Sequence, residues 1–189
     1  MSLKHGLLGL LNYYPMTGYE IDKGFNDSLN FFWQANTSQI YRELNKLEEV
    51  GLLKSEWILQ SDKPNKRIYS ITEEGKKELD KWLYDMESSI DGTLIMKSSF
   101  LMRIFFAGEI NPEKAIDTIK VFKKKCAERK VLMNMARSAI EAYQHEIDNA
   151  EKAEYWKLTV LFGDEFFTAG LIWADKALEI LENINNKEK

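Results

Sequence analysis

Apolar residues at positions 40, 44 and 47 recur at the spacing of one helix face, and Gln39, Arg42 and Lys46 fall on the opposite stripe. The segment from Thr37 therefore predicts a helix with one buried side and one free polar side. Asn36 or Thr37 can cap its start, and Gly51 supplies its stop. Beyond it, Leu53, Trp57 and Leu59 mostly alternate with Lys54, Glu56 and Gln60, the period of a half-buried strand. Asp62-Lys63-Pro64-Asn65 carries turn chemistry. A return strand follows, with Arg67, Tyr69 and Ile71 on one side and Ile68 and Ser70 on the other.

The flanking segments extend this pattern. Leu3, Leu7, Leu10 and Leu11 line a first helix, roughly 2 to 14, that ends before Pro15. Thr17-Gly18-Tyr19-Glu20 has the form of a capping box and opens a second helix through Ile21, Phe25 and Leu29. Thr72 can cap a fourth helix carrying Leu79, Trp82, Leu83 and Met86. Helix, helix, helix, strand, strand, helix is the order of a winged helix-turn-helix. The expected fold class is mainly α with a small β-wing, and residues 1–86 form its winged helix-turn-helix domain.

Periodicity weakens over 87–97, where Ser88-Ser89 and Asp91-Gly92 predict a hinge. The remainder, 98–184, reads as an all-α domain. A short segment covers Ser98 to Ala107, and Asn111-Pro112 combines a cap with Pro at the first helical position. The helix it starts runs to about 150 along Ile116, Ile119, Leu132, Met135, Ile140, Tyr143 and Ile147. A last helix, from about 154 to 184, carries Leu158, Phe162, Phe166, Trp173, Ala177 and Leu181. A helix of nearly forty residues is roughly 55 Å long, too long for so small a domain to cover on both faces. Packing against a second copy, as a two-fold homodimer, is the expected solution.

Composition narrows the setting. With 44% hydrophobic residues the chain can build a core, and the lone Cys126 points to a reducing cytoplasm without internal disulfides. Leu7 to Leu11 is too short to span a bilayer and lacks a small-residue cleavage site. The expectation is a cytoplasmic protein with no membrane partner. Net charge is -4 and the pI about 5.4, whereas a strong nucleic-acid binder is usually basic. Phosphate attraction is local, however, because the Debye length is only about 8 Å at physiological salt.

Lys63, Lys66 and Arg67 make the hairpin cationic, and a cationic hairpin behind a polar-faced helix suits a DNA groove and its flanking backbone. The candidate contacts to double-stranded DNA are Thr37, Ser38, Gln39, Tyr41, Arg42, Lys46, Lys63, Lys66 and Arg67. Gln39 can pair bidentately with adenine and Arg42 can reach guanine or phosphate. Tyr41 borders the apolar stripe, where core packing competes with contact. Thr37 competes with its role as a cap, and the wing cations with protection of an exposed edge strand.

Leu8-Gly9-Leu10-Leu11, then Pro15-x-x-Gly18-Tyr19-Glu20-Ile21, resembles the amino-terminal signature of PadR-type transcriptional regulators. So do Ser38-Gln39-Ile40-Tyr41-Arg42-Glu43-Leu44, Leu47-Glu48-x-x-Gly51-Leu52, and Lys66-Arg67-x-Tyr69-x-Ile71-Thr72 with Gly75. Trp156-Lys157-Leu158-Thr159-x-x-x-Gly163, with Trp173 and Ala177-Leu178, is similar to the carboxy-terminal helical domain of that family's longer, virulence-activator-like branch. The resemblance implies a homodimer joined through the carboxy-terminal helices, and a repressor or activator of transcription. The sequence departs from the family where Arg42 stands in place of the Pro that often follows the third-helix Tyr.

Trp156, Phe162, Phe166 and Trp173 are candidates for an effector pocket taking a small aromatic or apolar molecule, against the alternative that such stripes form core or dimer interface. Cys126 follows three lysines that would lower an exposed thiol's pKa, but an inert helical cysteine is the plainer reading. His5 and His145 have no ligand-spaced partner, so no metal or cofactor is expected. The chain has no Gly-rich phosphate loop, nucleophile elbow or paired-His motif, so an enzyme is not expected. The leading function is a dimeric regulator at a roughly palindromic operator. The alternative is a winged-helix module that binds protein or ligand without DNA.

Overall fold

Two compact units divide the chain, residues 1–94 and 95–189, and the computed structural model describes residues 2–59, 65–94, 97–109, 111–144 and 151–187. Lys63, His145 and Ile147 lie outside the described residues.

In the first unit, α1 (Ser2–Leu11), α2 (Gly18–Ser28) and α3 (Thr37–Glu49) bring their apolar stripes together. Leu7, Leu8, Leu11, Ile21, Phe25, Ile40, Leu44 and Leu47 are buried in one cluster. The capping box of α2 forms as expected: the Glu20 carboxylate accepts from the Thr17 backbone N–H at 2.7 Å, and Glu20 N–H donates to the Thr17 hydroxyl. α3 is capped by Asn36, and Thr37 is its first residue. Gly51 at φ 75° releases the chain from α3, a backbone state that disfavours a side chain.

The wing is part of a three-stranded antiparallel sheet rather than the two-stranded hairpin expected. Its order is β1-β3-β2, from β1 (Met16–Thr17), β2 (Leu53–Ile58) and β3 (Lys66–Ile71). β1 consists of two residues, Met16 opposite Tyr69 and Thr17 opposite Ile68. In β2 only Leu53 is buried. Trp57 and Leu59 are exposed because the hairpin runs beyond the core. α4 (Glu73–Tyr84) returns beside α1, where Glu78 accepts from Lys4 at 2.6 Å and His5 stacks on Trp82. Leu79 is the buried residue of its stripe, while Leu83 and Met86 are exposed. Over part of the stretch read as a hinge the chain makes a turn of 3-10 helix (Glu87–Ser89) and α5 (Ile90–Leu94).

The second unit contains α6 (Ser99–Phe105), a short 3-10 turn (Ala107–Glu109), α7 (Pro112–Tyr143) and α8 (Glu151–Lys187). α7 starts as expected, with Asn111 as cap and Pro112 first. α7 and α8 form an antiparallel hairpin stitched by ion pairs, Lys123 to Asp175 and Lys130 to Asp164. Its seam differs from the expected spine. Ile116, Ile119 and Ile140 of that spine are buried, together with Ala115, Cys126 and Met133, whereas Leu132 and Met135 are exposed. Opposite them, Ala153, Val160 and Ala174 are buried, and Gly163 and Gly170 lie close to the Met133 and Cys126 sulfurs. A side chain at Gly163 would sit 2.6 Å from Met133 Sδ. Cys126 is buried, which pushes its thiol pKa up and fits an inert packing role. No helix among the described residues is long and apolar enough to cross a membrane.

The α2 cap offers a test. Hydrogen bonds from the Thr17 backbone and hydroxyl hold the Glu20 carboxyl below its ordinary pKa of 4.5. That contribution is present above the unfolded pKa and is lost as pH falls through the lower, folded one. Thr17→Ala should cost about 1 kcal/mol in urea unfolding at neutral pH, and its penalty should shrink in acid.

Candidate nucleic-acid interface

Burial of Ile40, Leu44 and Leu47 fixes which side of α3 faces out. Thr37, Ser38, Gln39, Tyr41, Arg42, Asn45 and Lys46 are all exposed. Their surroundings separate them into free and engaged groups. The Gln39 side-chain oxygen accepts the Asn36 backbone N–H at 2.9 Å, closing the capping box. Bidentate pairing with adenine needs that oxygen, so it would require release of the cap; the Gln39 amide N–H groups are not used by it. The Thr37 hydroxyl donates to Asp22 at 3.3 Å, tying the start of α3 to α2. Asp22 Oδ1 is buried without a partner.

Tyr41 is both packed and exposed. Its ring lies against Gly18, where a methyl group would come within 2.6 Å of the ring carbon and 2.9 Å of the hydroxyl. The residue is still 38% accessible, so it can meet a partner as well as pack. Arg42 and Lys46 project from the same face. Glu43 is half-buried, which turns its charge away from that face.

On the wing, Lys66 is exposed on the strand face opposite Arg67, and its charge adds a small downward pull on the Glu20 carboxyl. Arg67 shares its face with Tyr69 and Ile71, the face that packs on the core. It is ion-paired with Glu48 of α3, donates to the Ser55 hydroxyl at 2.9 Å and lies over the Tyr69 ring at 5.0 Å. Ser55 in turn donates to Glu48. Sequence reasoning missed Glu48 and Ser55 because contacts between a helix and a hairpin leave no periodic trace.

The four aromatics proposed as an effector pocket differ in their surroundings along α8. Trp173 packs edge-on against Phe100 and Phe122, at 5.8 Å and 5.3 Å between ring centres. Phe162 and Phe166 face out, 65% and 60% exposed, and Trp156 is half-buried. Among the described residues no group of His, Cys, Asp and Glu is arranged to hold a metal.

Fold and exposed surfaces define a winged helix-turn-helix followed by a helical hairpin domain. Residues 7–81 match the Transcriptional regulator PadR-like family, and residues 96–182 match the Virulence activator alpha C-term family. The match to the first family thus falls within the winged-helix unit and the match to the second within the helical-hairpin unit. It is 36% identical over 118 residues to the Negative transcriptional regulator PadR of Bacillus subtilis, an alignment spanning 62% of this chain and 63% of that protein. The structure of Bacillus subtilis PadR in complex with operator DNA aligns with a TM-score of 0.78 and 25% identity, over 96% of this chain and 99% of that one. The Vibrio cholerae virulence activator AphA aligns with a TM-score of 0.75 and 25% identity, over 97% and 99%.

Proposed function

We propose that this protein is a cytoplasmic, dimeric transcriptional regulator that binds double-stranded operator DNA through α3 and the wing, acting as a repressor. The observation that carries the reading is the exposed polar side of α3, with Ser38, Arg42 and Lys46, beside the exposed Lys66 of β3 over a buried three-helix core. Helix side chains in the major groove supply base readout, and the wing cation grips phosphate. The matched relatives support it, being a regulator named as negative and a structure containing operator DNA.

Dimerisation rests on the hairpin. Tyr155, Leu158, Phe162 and Phe166 form one stripe of α8 and are each more than half exposed. Contiguous apolar surface of this kind marks an interaction site on a soluble protein. A two-fold partner would pair two α3 helices for a palindromic site. Any small aromatic or apolar effector would bind in this second unit, where Phe162 and Phe166 would be enclosed only by a partner copy.

Titration of promoter fragments at several salt concentrations tests DNA binding. Arg42→Ala should change the preferred bases. Lys66→Ala should weaken all sequences about equally and reduce the salt slope by about one per protomer. Binding that ignores salt, or survives both substitutions unchanged, would remove the assignment.

A further inference from the structure

Arg67 carries a charge on the wing, yet among the described residues its hydrogen bonds and ion pair run to Ser55 and Glu48. Its Nη2 reaches one Glu48 oxygen, its Nε donates to Ser55 at 2.9 Å, and Ser55 donates to the other Glu48 oxygen. These three groups close a ring between the last turn of α3 and both wing strands. Strand register explains why they meet: Ser55 lies opposite Tyr69 and Trp57 opposite Arg67, so all four side chains share the face turned toward α3. The guanidinium also lies over the Tyr69 and Trp57 rings, at 5.0 Å and 5.9 Å from their centres.

A carboxylate in the last turn of a helix opposes the helix dipole, and near a DNA groove it repels phosphate. Both Glu48 oxygens are satisfied by wing donors, and Arg67 neutralises its charge. Each side chain of the pair is about 70% buried, with accessibilities of 28% for Glu48 and 31% for Arg67, so the pair is neither freely solvated nor open to a phosphate.

We infer that Glu48, Ser55 and Arg67 form a positioning brace that fixes the wing against the recognition helix, and that Arg67 spends its charge on this brace instead of on DNA phosphate. Rigid coupling of the two reading elements lets base contact and backbone grip act in one register, which favours binding by lowering the ordering cost. The inference rests on the DNA-binding reading for its consequence, but the brace itself can be measured without DNA.

The test is a double-mutant cycle on the full-length protein, with Glu48→Ala, Arg67→Ala and the double variant. Affinity is read on an operator fragment at several salt concentrations, and stability by denaturant unfolding. The brace predicts that Glu48→Ala weakens operator binding, roughly three- to tenfold, although it removes a negative charge. Arg67→Ala should weaken it similarly with an unchanged salt slope, and the double variant should be no worse than either single one. Arg67→Lys, which keeps the charge but loses the fork, should not rescue. Tighter binding by Glu48→Ala, a salt slope lowered by about one per protomer in Arg67→Ala, or additive losses would overturn the brace. Failure of the wild type to bind any DNA would overturn the regulatory reading instead. Unfolding then decides the brace alone: non-additive stability losses sustain it and additive ones end it.

Discussion

Aspartate at both Phe162 and Phe166 is expected to leave the protein monomeric and to weaken operator binding by on the order of a hundredfold or more. Both rings stand out from α8, with exposures of 65% and 60%, so two charges there cost the single chain little. Across a two-fold contact the same charges would be desolvated next to apolar surface and opposed by their own copies. Losing the dimer removes the gain from engaging two half-sites together, although α3 and the wing are untouched. Sedimentation of the variant reports the oligomeric state, and titration with a full operator and with a half-site reports the affinity. A variant that stays dimeric would show that the interface lies elsewhere on the hairpin. A monomer that keeps full operator affinity would show that pairing adds nothing.

Gly75→Ala is expected to lower the melting temperature by on the order of 10 °C. A methyl group at Gly75 would lie 2.2 Å from the Leu52 carbonyl oxygen and 2.8 Å from Ile71 Cγ1. That carbonyl is held by the Thr72 N–H at 3.1 Å, and Gly75 N–H caps onto the Thr72 hydroxyl at 3.1 Å. The obstruction is therefore backbone, pinned between the entry to β2 and the start of α4. It cannot turn aside as a flexible side chain would. Gly24→Ala is the control: nothing lies within 4 Å of a methyl group there, and the substitution removes a helix-weakening glycine. Thermal unfolding of the two variants should move in opposite directions or leave Gly24→Ala unchanged. Equal losses from both would contradict the steric account.

The winged half was legible in the sequence because large side chains carry its periods. Ile40, Leu44 and Leu47 define α3, Gly51 its end, and Thr17 with Glu20 the start of α2. β1 was not legible: two residues hold no period, and only pairing with Ile68 and Tyr69 makes them a strand. The hairpin of the second unit misled for a related reason. Its seam sets small residues of α8, Ala153, Gly163, Gly170 and Ala174, against larger ones of α7, with Gly163 at Met133 and Gly170 at Cys126. A reading weighted toward large apolar residues selects Leu158, Phe162 and Phe166, which face outward. The same bias placed Leu132 and Met135 in the spine of α7.

At the candidate interface, exposure of Gln39, Arg42 and Lys46 followed directly from the stripe. For Arg67 the alternation grouped it with Tyr69 and Ile71 on one side of the strand, and its positive charge argued for a role at DNA. Glu48, nineteen positions earlier and on another element, pairs with Arg67. Pairing between distant groups is decided by the fold, and one sequence carries no mark of it.

Selection of bound fragments from a pool of random DNA by the purified wild-type protein tests the central claim most directly. The account predicts enrichment of a two-fold symmetric motif whose half-sites are separated by about one helical turn or a multiple of it. Enrichment of nothing, or of a single asymmetric site, would contradict it.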